Sequence, residues 1–207
     1  MQSVFDSNAA EYDSWFDKNN YAYQSELEAV RRFIPRPGLG IEIGSGTGRF
    51  STPFNISIGV EPSRAMAKIG DERGITIHNA FAEDLPFCKN HFDFVLMINT
   101  ICFVEYPIKA LSEAYRILID NGQLIIGILD RETALGRIYD SIKSSHKFYK
   151  KAKFYSTEEI MIMLQNNGFR EIQTCQTIFL NPESMNEADE VKEGFGEGLF
   201  VVINSIK

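Results

Sequence analysis

A chain of 207 residues is long for one domain and short for two, and 44% hydrophobic with 12% aromatic content suffices for one substantial core. A net charge of −7 and the absence of a strong basic cluster argue against a nucleic-acid partner, and no apolar run is long enough to span a membrane. Three isolated cysteines (Cys88, Cys102, Cys175) without a CxxC, three scattered histidines (His78, His91, His146) and a start without a secretory leader predict a cytoplasmic protein with reduced thiols and no metal site.

Residues 1–37 read as an arm of two short helices, the second over about 23–33, crowded with Tyr12, Trp15, Phe16, Tyr21 and Tyr23 and closed by Pro35 and Pro37. Strands and helices then alternate, which implies a doubly wound, mostly parallel sheet with helices on both faces, an α/β fold. Strands are expected at 40–44, 57–61, 75–78, 92–98 and 123–129. Helices are expected just after Gly48, around 63–73 and over 107–119, the last stopped by Asp120-Asn121-Gly122. Residues 131–155 are a polar, partly helical insert. Ser156 and Glu159 form a capping-box pattern for a helix ending at Asn167-Gly168. Two strands, about 170–179 and 198–205, follow as an antiparallel hairpin at a sheet edge. The chain is one domain: the arm, a ligand-binding half over 38–130, the insert, and a closing helix with strands over 156–207.

The segment Gly40-Ile41-Glu42-Ile43-Gly44-Ser45-Gly46-Thr47-Gly48 runs from an apolar strand into three alternating glycines. Glycines let the backbone turn sharply and lie close to a ligand. The strand Ile58-Gly59-Val60 then ends in Glu61, 17 residues after Gly44. An acid there can grip both hydroxyls of a ribose. A dinucleotide fingerprint requires a third glycine where Arg49 stands, so a nicotinamide-dependent oxidoreductase is disfavoured. No Gly-Lys-Ser/Thr follows, which removes a P-loop.

These residues, with Glu61-Pro62-Ser63, Ala82-Glu83-Asp84-Leu85-Pro86-Phe87, Phe92-Asp93-Phe94-Val95-Leu96, Asn121-Gly122-Gln123-Leu124 and Gly168-Phe169, resemble class I S-adenosylmethionine-dependent methyltransferases. The likeness is strongest to the small-molecule branch that includes ubiquinone- and menaquinone-type C-methyltransferases. The resemblance implies a seven-stranded sheet whose last strand is antiparallel, with S-adenosyl-L-methionine as cofactor. It implies that Gly44, Ser45 and Gly46 cradle the methionine part, that Glu61 holds the ribose and that Pro62 lies beside the adenine. Ala82 and Glu83 would border the base, and Asn99 would face the methionine amine and the acceptor. Two positions depart from the family pattern: Phe81 replaces a frequent Asp, and Cys102-Phe103 replaces a frequent histidine pair.

Other roles stay open. Glu42 either reaches the cofactor through water or orients the glycine turn, since a buried carboxylate needs partners. Asn99 is equally suited to capping a turn. Tyr12 and Tyr21 in the arm, with Phe103, Tyr139 and His146, are candidates for a lid or an acceptor pocket, against ordinary packing. No catalytic residue stands out. The expected function is methyl transfer to a small-molecule acceptor, and the alternative is a cofactor-binding module without turnover.

Overall fold

In the computed structural model, which describes residues 4–207, two helices, α1 (Val4–Lys18) and α2 (Asn20–Arg31), precede every strand. There follow β1 (Gly40–Ile43), β2 (Ile58–Val60), α3 (Arg64–Glu72), β3 (Thr76–His78), β4 (Phe92–Ile98), α4 (Pro107–Ile117) and β5 (Leu118–Leu129). Next come α5 (Ala134–Ile142), α6 (Thr157–Asn166), β6 (Arg170–Thr177), β7 (Lys192–Glu193) and β8 (Phe200–Ile206). The strands form one eight-stranded sheet ordered β3-β2-β1-β4-β5-β8-β6-β7. Strands β1 to β5 are parallel, and β8 runs antiparallel to both β5 and β6.

Strand β4 shows how the sequence builds two cores. Alternate side chains of a strand face opposite sides. Val95 and Met97 pack with Leu111, Ala114 and Ile117 of α4 and with Ile160 and Leu164 of α6. Phe94, Leu96 and Ile98 pack the other way, with Tyr23, Leu27 and Val30 of α2 and Phe16 of α1. Each large apolar side chain buried this way contributes about 1.5–3 kcal/mol. The expected fold class holds, and the capping box is present: Glu159 N–H donates to Ser156 Oγ at 3.1 Å and Ser156 N–H to Glu159 Oε2 at 2.8 Å.

Three expectations need correction. The helix expected after Gly48 is only a 3-10 turn, Thr52–Phe54, because the nine residues between Gly48 and Ile58 must turn and return to the sheet. The helix expected over 107–119 stops at Ile117, and the strand begins at once; Asn121 (φ 64°), rather than Gly122, takes the left-handed conformation. The sheet has an eighth strand because Lys192 and Glu193 pair with Gln176 and Cys175. The tail strands form the expected antiparallel pair at one side of the sheet, β8 against β5 and β6 beyond it, with only the two-residue β7 outside.

Candidate active site

Parallel strands β1, β2 and β4 end on the same edge of the sheet, so Gly44, Glu61 and Asn99 converge there. Gly44, Gly46 and Gly48 all have positive φ (71°, 54° and 82°). At Gly44 a Cβ would come within 2.3 Å of Thr100 Cγ2, so only glycine fits. Both Gly44 and Ser45 N–H groups donate to Val60 O, at 2.8 and 3.0 Å, fastening the turn to β2.

Glu61 is buried against this turn. Gly46 N–H donates to its Oε2 at 3.0 Å and Ser63 N–H to its Oε1 at 2.8 Å. Each carboxylate oxygen therefore keeps accepting capacity for a ligand hydroxyl. Burial pushes the Glu61 carboxyl up to about 7, against the pull of the Ser63 and Gly46 N–H groups. Glu42 is also buried, and it receives the Ser51 hydroxyl. The Ser45 hydroxyl lies under Gly59 of β2, where an added Cβ would be 2.5 Å away. Ser45 thus faces the ligand side only with its main chain.

The other residues implied by the resemblance divide. Pro62 is exposed beside Glu61, and Asn79 Nδ2 donates to the carbonyls of both at 2.9 Å. Ala82 is buried. Glu83 Oε1 accepts from the Glu105 and Tyr106 N–H groups at 3.1 Å each, tying its loop to the start of α4. Asn99 has φ 50° and is held by its N–H to Gly127 O at 2.9 Å. Its Oδ1 is buried without a hydrogen-bond partner, so it does not serve as a cap.

The arm lies over this edge. Phe5 meets Tyr12, Phe103 and Phe148 at centroid distances of 5.6, 5.1 and 5.8 Å. Tyr12 also meets Phe148 at 5.5 Å, and Tyr149 lies 6.3 Å from both Phe103 and Tyr139. His146 stacks on Tyr149 at 4.6 Å. Four of the five lid or acceptor-pocket candidates, Tyr12, Phe103, Tyr139 and His146, thus meet in one aromatic wall. Tyr21 does not: it is 45% exposed on the outer face of α2. His146 Nδ1 accepts from the Phe148 and Tyr149 N–H groups at 3.3 Å, and burial lowers its basicity.

Sequence reasoning missed Glu26 of α2, which is 2% exposed. Its Oε2 has no hydrogen-bond partner, while the Asn99 side chain bonds the carboxyl. A signal existed: Ala22, Glu26, Ala29 and Val30 follow helical spacing, which places a carboxylate on the buried stripe. The negative fields of Glu26, Glu61 and Glu42 all reach the buried Tyr12 phenol and, after burial itself, push its titration upward. Three buried carboxylates at one edge, with the unpartnered Asn99 Oδ1, suit a cationic ligand bearing hydroxyls. The adenosyl-sulfonium cofactor fits that description. Among the described residues no cluster of acidic, histidine and cysteine side chains could hold a metal, and no helix is long and apolar enough to cross a membrane.

A methyltransferase-domain family model matches residues 41–126. An S-adenosylmethionine-dependent methyltransferase of Thermotoga maritima, described as a possible histamine N-methyltransferase, superposes with a TM-score of 0.96 at 50% identity, over 99% of this chain and 98% of that one. An uncharacterized protein of Methanocaldococcus jannaschii is 50% identical over 99% of both chains. A ubiquinone/menaquinone biosynthesis C-methyltransferase of Psychromonas ingrahamii is 27% identical over 91% of this chain and 82% of its own length.

Proposed function

The chain belongs to the class I S-adenosylmethionine-dependent methyltransferases, and from that premise we propose that it methylates a small molecule held against the aromatic wall. The observation that carries the acceptor reading is the wall itself: rings from α1, from the turn after β4 and from the insert meet beside Asn99 and the glycine turn. Small-ligand sites are lined mostly by apolar and aromatic side chains with a few polar groups, and the wall has that composition.

When bound, the cofactor supplies an electrophilic methyl group on a positive sulfur. Glu61 would hold its ribose, Gly44 to Gly46 its methionine part, and Pro62, Ala82 and Glu83 would border its adenine. Asn99 Oδ1 would meet a ligand N–H. The chain's own task is positioning and exclusion of water. Orientation of reacting groups lowers a barrier by about 7–11 kcal/mol. Phe5, Tyr12 and Phe148 pack on one another and would exclude water from an acceptor held against them.

Incubating the protein with methyl-labelled S-adenosylmethionine and a cell extract tests this reading. Label is expected in the ultrafiltrate. Label confined to protein or nucleic acid would overturn the small-molecule acceptor, and cofactor binding without any transfer would favour a module without turnover.

A further inference from the structure

We propose that Glu26 is the acceptor-recognising residue of this enzyme and that the acceptor is a primary or secondary amine, its nitrogen held by Glu26 Oε2 inside the aromatic wall. The inference rests on the small-molecule reading and adds its chemical class.

Glu26 is a costly residue to keep where it stands. It lies on the buried stripe of α2 between Ala22 and Ala29, both fully buried. An ionised carboxylate in such surroundings requires a cation or a set of hydrogen bonds. Asn99 supplies one interaction, and Oε2 has none. Among the described residues no lysine, arginine or histidine forms an ion pair with it, although the chain pairs thirteen other acid–base couples. Packing alone gives no reason for a carboxylate here, because an apolar side chain would fill the stripe without the penalty.

The groups around Glu26 say what is missing. Its field reaches the phenols of Tyr12, Tyr23, Tyr139 and Tyr149. Tyr23 is engaged, donating its hydroxyl to Arg49 O, but the other three belong to the aromatic wall. Tyr12 of the arm and Tyr139 of the insert pack against the same cluster as Ala22 and Leu27, which flank Glu26 on α2, and Tyr149 adjoins Tyr139, so the helix face that carries Glu26 is turned toward the aromatic wall. An ammonium group there gains a charge-assisted hydrogen bond to Oε2 and the faces of the surrounding rings. A neutral alcohol brings no positive charge to hold the carboxyl in its ionised form.

The same contact prepares the nitrogen. An amine arrives as an ammonium with no lone pair. One proton passes from nitrogen to Glu26 Oε2, the N–H electron pair stays on nitrogen, and the carboxyl becomes neutral. Nothing is oxidised or reduced. Burial, partly offset by Asn99, pushes the Glu26 carboxyl up to about 8, which brings it close enough to an amine for that exchange. A carbon or un-ionised hydroxyl acceptor would require a stronger base.

The test compares 2-phenylethylamine and ethylamine with their alcohol isosteres, 2-phenylethanol and ethanol, by calorimetry on the wild-type protein and on Glu26→Gln. At least one amine is expected to bind the wild type, to bind Glu26→Gln about tenfold or more weakly, and to exceed its alcohol by a similar factor on the wild type. The second comparison requires no variant and stands if Glu26→Gln folds poorly. Infrared difference spectra should show the Glu26 carboxyl band shifting between its protonated and ionised forms on amine addition, in the wild type only. Equal affinity of amines and alcohols, no amine binding at all, or unchanged amine affinity in Glu26→Gln would each overturn the proposal. S-adenosylhomocysteine is titrated in parallel and should bind both proteins within about twofold. Its loss in Glu26→Gln would reassign Glu26 to the cofactor, and failure to bind the wild type would instead sink the methyl-transfer reading.

Discussion

Arg49 of the glycine turn grips Asp13 of α1 by both carboxylate oxygens, Nε to Oδ1 at 2.9 Å and Nη2 to Oδ2 at 2.8 Å. Arg73, at the end of α3, takes the same two oxygens at 2.8 Å each. Although burial opposes it, these two guanidiniums hold the Asp13 carboxyl well below the usual range. Ser63 adds a hydroxyl to Asp6 at 2.7 Å, and Lys147 of the insert reaches Glu11 at 2.6 Å. The arm is therefore latched to the cofactor turn, to the turn after β2 and to the insert.

Replacing Arg49 by Gln should release this latch. A bidentate, half-buried pair is worth about 1–3 kcal/mol when one partner is lost. Amide exchange over residues 4–18 should quicken while that of β4 stays unchanged. Equal protection of α1 in both proteins would refute the latch.

Glu61→Ala removes an acceptor already set in place by two N–H groups. Loss of hydrogen bonds to a charged group costs about 1.5–3 kcal/mol, or about 10–100-fold in affinity for S-adenosylmethionine. Calorimetry reads this directly, and unchanged affinity would remove Glu61 from the ribose site.

The three buried carboxyls give the free protein an inverted acid profile. Burial raises Glu42 to about 8, against the Ser51 hydroxyl and with help from Glu61, while Glu26 rises to about 8 and Glu61 to about 7. Between their ordinary value of 4.5 and these values the folded protein binds more protons than the unfolded chain, so stability falls as pH rises through that window. Thermal melts of the ligand-free protein should show Tm dropping from pH 5 to pH 8. Glu42→Gln should flatten the slope, with about 2–4 °C for each kcal/mol recovered at pH 8. A slope identical to wild type would contradict the assignment.

Gly44→Ala should be far worse than an ordinary surface substitution. The left-handed backbone alone costs about 1–3 kcal/mol, and the added Cβ would press on Thr100, whose Oγ1 bonds Gly44 O at 3.3 Å. Gly74→Ala is a fair control: its φ is 85° but nothing lies within 4 Å. Comparing the two by chemical denaturation separates backbone strain from collision, and equal losses would dismiss the collision.

Most of the sheet was legible because its strands are short apolar runs bounded by turn residues, and Gly44, Glu61 and Asn99 fall at strand ends that parallel pairing must bring together. The turn after Gly48 was not, because helical propensity says nothing about the chain length left before the next strand. The sequence left open which of the two tail strands lies inside, since Phe200–Ile206 reads the same whether one edge is covered or both. Glu26 escaped for a different reason: beside Glu28 in a twelve-residue helix it resembles a solvated side chain until the stripe through Ala22 and Val30 is traced. Tyr21 was chosen by residue type alone, and helix phase turned it outward.

Of the rings in the wall, only Phe103 falls within residues 41–126, where the methyltransferase-domain model matches. Phe5, Tyr12, Tyr139, Phe148 and Tyr149 are contributed by stretches before and after it. On the proposal that the wall selects the acceptor, donor binding and the choice of cargo are encoded in separate stretches. Grafting a sister protein's opening helix together with its loop beyond the fifth strand should transplant preference for one metabolite over another while leaving the donor-binding machinery untouched.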